Sequence, residues 1–320
     1  MSGLTCSDGS AAAGEQLAGS APEAVAWVAL EQNGPWGAKA FTDSHLDPDL
    51  GRRVEAAAAA FGVRPSLVRR PGRHADAAAR AGGRLGPGAD PRHVLVAYTH
   101  PTGPWLLEGT LDDPARLLDL DWEALAVGDA EAVRRSLPVL ARTDRPQLLV
   151  CTNGTRDVCC ATKGRPVALG AAAAHPGQVW EVTHTSGHRF APTTVLLPAG
   201  TLHGRLDVAA ACEVLQAAER GETVLPGSRG RSTWAGPAQV AELAVRDVAG
   251  VLGLDALRVV THDATGERRW STLVAHDDGR TWRVETESRD AEVERAESCG
   301  KALKPLTYFT HLVETSLVRR

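Results

Sequence analysis

The reading of this chain turns on Cys151-Thr152-Asn153-Gly154-Thr155-Arg156-Asp157-Val158-Cys159-Cys160, followed by His184-Thr185-Ser186-Gly187-His188. Eight residues separate Cys151 from Cys160, and three separate His184 from His188. Thiolate sulfur and imidazole nitrogen form a donor set that suits a zinc ion or an iron–sulfur cluster. Gln147-Leu148-Leu149-Val150 leads into Cys151, and Gln178-Val179-Trp180-Glu181-Val182-Thr183 leads into His184. Both runs read as short buried strands. Each ligand pair therefore begins at the C-terminal end of a strand, where α/β folds build their sites. Gly154 and Gly187 fall inside the two loops, where glycine permits positive φ and close backbone approach. Arg156 and Asp157 lie between the thiols. They are expected to brace the loop as an ion pair or to hydrogen-bond around the ligands.

Working outward, the segment Ala161–Ala174 reads as a helix between the two strands. Thr194–Leu197 and Leu202–Leu206 read as a hairpin across Pro198-Ala199-Gly200, and Val208–Arg220 as an amphipathic helix containing Cys212. The N-terminal part shows the same order. Ala24–Leu30 is a strand ending at the turn Gly34-Pro35-Trp36-Gly37. Asp47-Pro48 starts a helix that stops at Gly62. Strands follow at Ser66–Val68, His93–Tyr98 and Pro104–Gly109, with a helical stretch from Asp121. Strand, helix, strand, strand, strand, helix is close to a thioredoxin-like order. The fold class expected is α/β: two thioredoxin-like halves, with mixed sheets flanked by helices. The boundary falls in the polar stretch Ala141–Pro146. Residues 1–142 are expected to form an N-terminal half without a site of its own, and residues 143–320 the half that carries the metal centre. Pro71 to Pro91 reads as a loop and the residues after Cys6 as a flexible lead-in. Beyond Pro226 come an exposed basic loop with Arg229, Arg231 and Trp234, a helix from Pro237 to Leu252, three strands between Leu257 and Glu287, and a mixed tail around Cys299.

The bulk properties narrow the class. A net charge of −4 does not point to nucleic acid or an anionic membrane surface. Met1–Gly19 has no apolar run of a secretory leader, and no stretch is long enough to span a bilayer, so a cytoplasmic protein is expected. Six cysteines in 320 residues do not make a disulfide framework. Cys6, Cys212 and Cys299 read as packing residues, as do His203 and the tryptophans Trp27, Trp36, Trp105 and Trp180. There is no G-x-G-x-x-G after a strand and no P-loop, so no nucleotide site is expected.

The run from Cys151 to Ala161, with Val179-Trp180-Glu181-Val182-Thr183-His184-Thr185-Ser186-Gly187-His188-Arg189-Phe190-Ala191-Pro192, resembles the sucrase/ferredoxin-like family. So do the Gly34–Gly37 turn and Arg229-Gly230-Arg231-Ser232. The likeness extends roughly from Cys6 to Leu252. The spacing also resembles thioredoxin-like 2Fe–2S ferredoxins, whose four ligands are all cysteine. The family resemblance implies a bis-histidinyl 2Fe–2S cluster, with Cys151 and Cys160 on one iron and His184 and His188 on the other. It favours Cys160 because some relatives have Arg at the position of Cys159, which stays the alternative ligand. The chain departs from the family at Asn153, where His is common, and at Ser186, where Gly is common. The implied function is one-electron, proton-coupled transfer by a carrier rather than a stand-alone enzyme. The carrier would be served by a separate reductase and an acceptor protein docking at Arg229, Arg231 and Trp234. Two other readings fit the residues: a thiol–disulfide or peroxide enzyme using Cys151 with Cys159 or Cys160, and an interaction module holding Zn2+.

Overall fold

The computed structural model describes residues 5–72 and 91–316. Most of the loop expected between Pro71 and Pro91 lies outside these residues. The segment expected as a flexible lead-in after Cys6 begins with a helix, α1 (Cys6–Ala12). The Thr5 hydroxyl accepts from Asp8 N to cap it, and Cys6, Ser7 and Ser10 are buried by it. Short-range periodicity gives no hint of this helix, because small residues dominate it and its packing partners are distant.

Strand β1 (Ala26–Glu31) is buried along its whole length, as a strand covered on both faces must be. Helix α2 (Pro48–Ala60) starts at Asp47, whose carboxylate accepts from Asp49 N and Leu50 N. It returns the chain to β2 (Val63–Arg69), parallel to β1. β3 (Arg92–Tyr98) runs antiparallel on the other side of β1. β4 (Trp105–Leu111) and β5 (Ala141–Thr143) continue outward, with α3 (Trp122–Val127) and α4 (Ala130–Ser136) between them.

The pattern then repeats. β6 (Gln147–Cys151) is followed by α5 (Val158–Ala174) and a parallel β7 (Val179–Val182). β8 (Thr193–Leu197) runs antiparallel on the far side of β6. β9 (Thr201–Gly204), α6 (Val208–Glu219) and β10 (Ser228–Arg231) complete the second half. The α/β class with mixed strand directions and flanking helices is thus as expected. The halves share one ten-stranded sheet, ordered β10-β9-β8-β6-β7-β2-β1-β3-β4-β5. They join where β2 and β7 pair antiparallel, Val68 with Val182 and Arg69 with Glu181.

At that join the Arg69 guanidinium donates to Glu181 Oε2 from Nε at 2.8 Å and from Nη2 at 2.6 Å. Thr152 Oγ1 donates to the same oxygen at 2.8 Å. One face of the sheet carries a single apolar cluster that crosses the join, with Trp27 and Leu95 from one half and Cys151, Cys160 and Trp180 from the other. Both indole N–H groups are satisfied, Trp27 by Ser232 Oγ and Trp180 by Gln147 Oε1.

After β10, α7 (Gly236–Ala249) leads to β11 (Leu257–Gly266), β12 (Arg269–His276) and β13 (Thr281–Asp290). The short strands β14 (Arg295–Ala296) and β15 (Leu303–Lys304) pair across the loop that carries Cys299. A further strand, β16 (Thr307–Ser316), adds to β13 and closes a four-stranded antiparallel sheet. That strand went unread in the sequence because a long connection, rather than a tight turn, separates it from its partner.

Candidate metal centre

Cys151 ends β6, and the chain then enters a loop tied to the N-terminal half. Asn153 Nδ2 donates to Gly37 O at 3.0 Å, and Arg156 Nη1 donates to Ala38 O at 3.0 Å. The Gly34–Gly37 turn therefore serves as a rim for the loop. Asn153 Oδ1 accepts from Thr155 N at 3.2 Å, which tightens the turn. Arg156 and Asp157 do not brace each other: Asp157 caps α5 by accepting from Cys159 N at 2.9 Å. Gly154 does not use positive φ; a Cβ there would crowd Ala161 Cβ at 2.7 Å, so the need is for space. Gly187 does use it, with φ of 71°.

The four residues singled out in sequence come together. Cys160, in the first turn of α5, has its Sγ 3.2 Å from His188 Nδ1. The Cys151 thiol lies in hydrogen-bonding contact with Cys160 and adjoins His184. The His184 and His188 rings stack with centroids 4.8 Å apart. Both thiols are fully buried and both imidazoles half-buried. The adjacent Cys159 points elsewhere, to Cys6, Cys299 and Asp157. Successive positions on a helix differ by about 100° in direction, which separates the two thiols. The expectation that Cys6 and Cys299 are mere packing residues gives way here: one donor atom from each of Cys6, Asp157, Cys159 and Cys299 lies within 4.8 Å of the others.

Electrostatics fit the arrangement. The Cys160 hydrogen bond, with help from His184, holds the Cys151 thiol well below its ordinary value despite burial. The same contact, with burial, pushes Cys160 up. The pair thus favours one thiolate and one thiol sharing a proton. Burial pushes both histidines below their ordinary value, so both rings are neutral at pH 7, the form that binds metals.

The basic loop is the clearest correction. Arg229 and Arg231 are not exposed; they sit on β10 with 0% and 1% of their surface accessible. Arg229 Nη1 donates to Thr185 O at 3.3 Å and Ser186 O at 3.0 Å, and its Nε donates to Ser20 Oγ at 3.0 Å. It clamps the His184–His188 loop from behind, and burial brings it down only to about 9, so it stays cationic. Arg231 Nη1 donates to Asp255 Oδ1 at 3.1 Å. Trp234 Nε1 donates to Glu242 Oε2 at 2.7 Å.

The sucrase/ferredoxin-like family model matches residues 17–230. This chain belongs to the sucrase/ferredoxin-like family. No curated protein and no solved structure matches it. The family match takes in both thiols, both imidazoles and the Arg229 clamp, and leaves out Cys6 and Cys299. At Ser186 the backbone sits at φ of 65°, the left-handed region that favours glycine. A cleft of about 940 Å³, bordered by Lys39, Arg64, Asn153, Arg156 and His184, opens beside the histidine pair. Arg64 went unremarked in the sequence. Nothing in its local run distinguishes it, and it reaches the site only because β2 lies beside β7. Among the described residues no helix is long and apolar enough to cross a membrane.

Proposed function

We propose that this protein is an electron carrier, with Cys151, Cys160, His184 and His188 holding a 2Fe–2S cluster. The observation that carries the reading is the meeting of two buried thiols and two neutral imidazoles at adjoining strand ends, with Cys160 Sγ 3.2 Å from His188 Nδ1. The donor set fits the group. His184 Nδ1 is buried without a hydrogen-bond partner, a vacancy that ligation would fill. When bound, such a cluster supplies one-electron transfer, at roughly −150 to +300 mV with two imidazoles against about −400 mV with four thiolates.

The chain's own residues set the conditions. Cys151 and Cys160 exclude water from the inner side. Arg229 fixes the histidine loop through the Thr185 and Ser186 carbonyls. Asn153 fixes the cysteine loop through Gly37. The half-buried imidazoles are the accessible side, so the reductase and the acceptor are proposed to approach there, beside the cleft, and not at Arg229 and Arg231. The ring nitrogens turned away from the thiols, Nε2 in His188, hold the protons that accompany electron transfer. The thiol–disulfide reading is less well supported, because Cys151 is 1% exposed and a substrate disulfide has no path to its sulfur.

Anaerobically purified protein is expected to be red-brown, with visible absorption and a reduced-state paramagnetic signal. Its potential is expected to fall as pH rises through the alkaline range. A colourless chain with zinc displaced by Cys151→Ser would overturn the reading, and a flat potential would remove the proton coupling.

A further inference from the structure

The second cluster of sulfur ligands lies outside the proposed electron-transfer site and draws two of its members from outside the family match. Cys6 opens α1, Cys159 lies in the first turn of α5, and Cys299 lies in the loop between β14 and β15. The three sulfurs form a nearly regular triangle: Cys6 to Cys159 is 3.6 Å, Cys159 to Cys299 is 3.4 Å, and Cys299 to Cys6 is 3.5 Å. None is in a disulfide. The edge of a tetrahedron with zinc–sulfur bonds of about 2.3 Å is about 3.8 Å, so ligation requires only that the sulfurs spread by a few tenths of an ångström around the metal.

The fourth vertex is present as well. Asp157 Oδ2 lies 3.6 Å and Oδ1 3.8 Å from Cys6 Sγ. Its carboxylate is held in place by Ser298 Oγ at 2.7 Å, Cys299 N at 2.8 Å and Cys159 N at 2.9 Å. Three donors that orient one carboxylate are the kind of support that metal ligands receive. The Thr5 and Ser7 hydroxyls face the Cys159 sulfur. The carboxylate thus serves twice, as the cap of α5 and as a charged oxygen set beside three thiols.

We propose that Cys6, Asp157, Cys159 and Cys299 bind one Zn2+ ion, which ties both ends of the chain to the start of α5. Three thiophilic donors and one oxygen in a closed, four-ligand arrangement make a structural rather than a catalytic site. As the ion binds, three S–H bonds break, their protons pass to solvent and three S–Zn bonds form, with no change of oxidation state. Because Cys160 follows Cys159 directly, the ion also fixes the turn that presents Cys160.

Metal analysis of the full chain, purified with zinc in the medium, is expected to give about one zinc per chain. Cys6→Ser and Cys299→Ser are each expected to lower zinc about tenfold while Cys151→Ser leaves it in place. Should the serine variants fail to fold, wild-type protein serves. Zinc is expected to slow alkylation of the half-buried Cys299 about tenfold, with chelation restoring the rate and half-buried Cys212 unaffected. A chain free of zinc, zinc that survives Cys299→Ser, equal alkylation with and without zinc, or a disulfide among Cys6, Cys159 and Cys299 would each overturn the proposal. Because the readout is zinc and not iron, failure here leaves the electron-transfer reading standing, and the reverse also holds.

Discussion

The two halves of the large sheet have the same strand order but different strand ends. β1 and β2 run parallel with Glu31 opposite Val68, and β6 and β7 run parallel with Cys151 opposite Val182. Since Val68 pairs with Val182, one row crosses four strands: Glu31, Val68, Val182, Cys151. The row is symmetric in geometry and asymmetric in chemistry. Beyond it the first half continues as Gln32-Asn33 and Arg69-Arg70, with neither thiol nor imidazole. The second continues through Cys151 to Cys160 and through His184 to His188. The same framework thus presents the proposed ligands on one side of the join. On the other it presents a turn, Gly34–Gly37, that braces them, and a guanidinium, Arg69, that holds the halves together.

Several substitutions sharpen that contrast. The largest expected effect falls on the proposed ligands: Cys160→Ser is expected to abolish the visible chromophore, whereas Cys159→Ser leaves it. Absorption spectra of the two variants check this. Next is the join. Arg69→Met leaves the Glu181 carboxylate buried without its cation, at a cost of about 3–5 kcal/mol in urea unfolding. A smaller but informative effect is expected from Gly164→Ala. A methyl group there overlaps the Cys151 carbonyl oxygen and pushes α5 off β6. The expected cost is about 3 kcal/mol, against the helix preference for alanine, together with faster cluster loss on dilution.

The second half also carries an acid-sensitive group. His203, fully buried on β9, is brought down to about 4 by burial, with Nε2 3.1 Å from Val224 O. Its folded value lies below its unfolded one, so the unfolded chain binds the proton first. Its contribution is intact above about pH 6.5 and is lost as pH falls toward 4. From about pH 7.5 to pH 5 that is about 2 kcal/mol, and unfolding curves of wild type and His203→Gln at the two values measure it. The smallest effect is at Ser186, where Ser186→Gly relieves the left-handed backbone and is expected to gain up to about 1 kcal/mol.

What could be read from the sequence follows a physical divide. The strands ending at Cys151 and His184 were legible because apolar runs bounded by turns are local signals. The convergence of the two pairs followed from the strand-end rule for α/β sheets. Which of Cys159 and Cys160 faces which cluster depends on helix phase at α5, where the first turn carries almost no apolar pattern. Arg229 looked solvated because Gly-Ser-Arg-Gly-Arg reads as a polar loop. Its burial depends on the Ser20, Thr185 and Ser186 oxygens, which are invisible until the fold assembles. Cys6 and Cys299, separated by nearly the whole chain, share no local signal at all.

The central claim is tested most directly by nitrogen hyperfine spectroscopy on the reduced, anaerobically purified protein. About two iron and two sulfide per chain are expected. Coupling from two imidazole nitrogens is expected, one lost in His184→Cys and the other in His188→Cys. A paramagnetic cluster with no histidine nitrogen coupled to it would contradict the account.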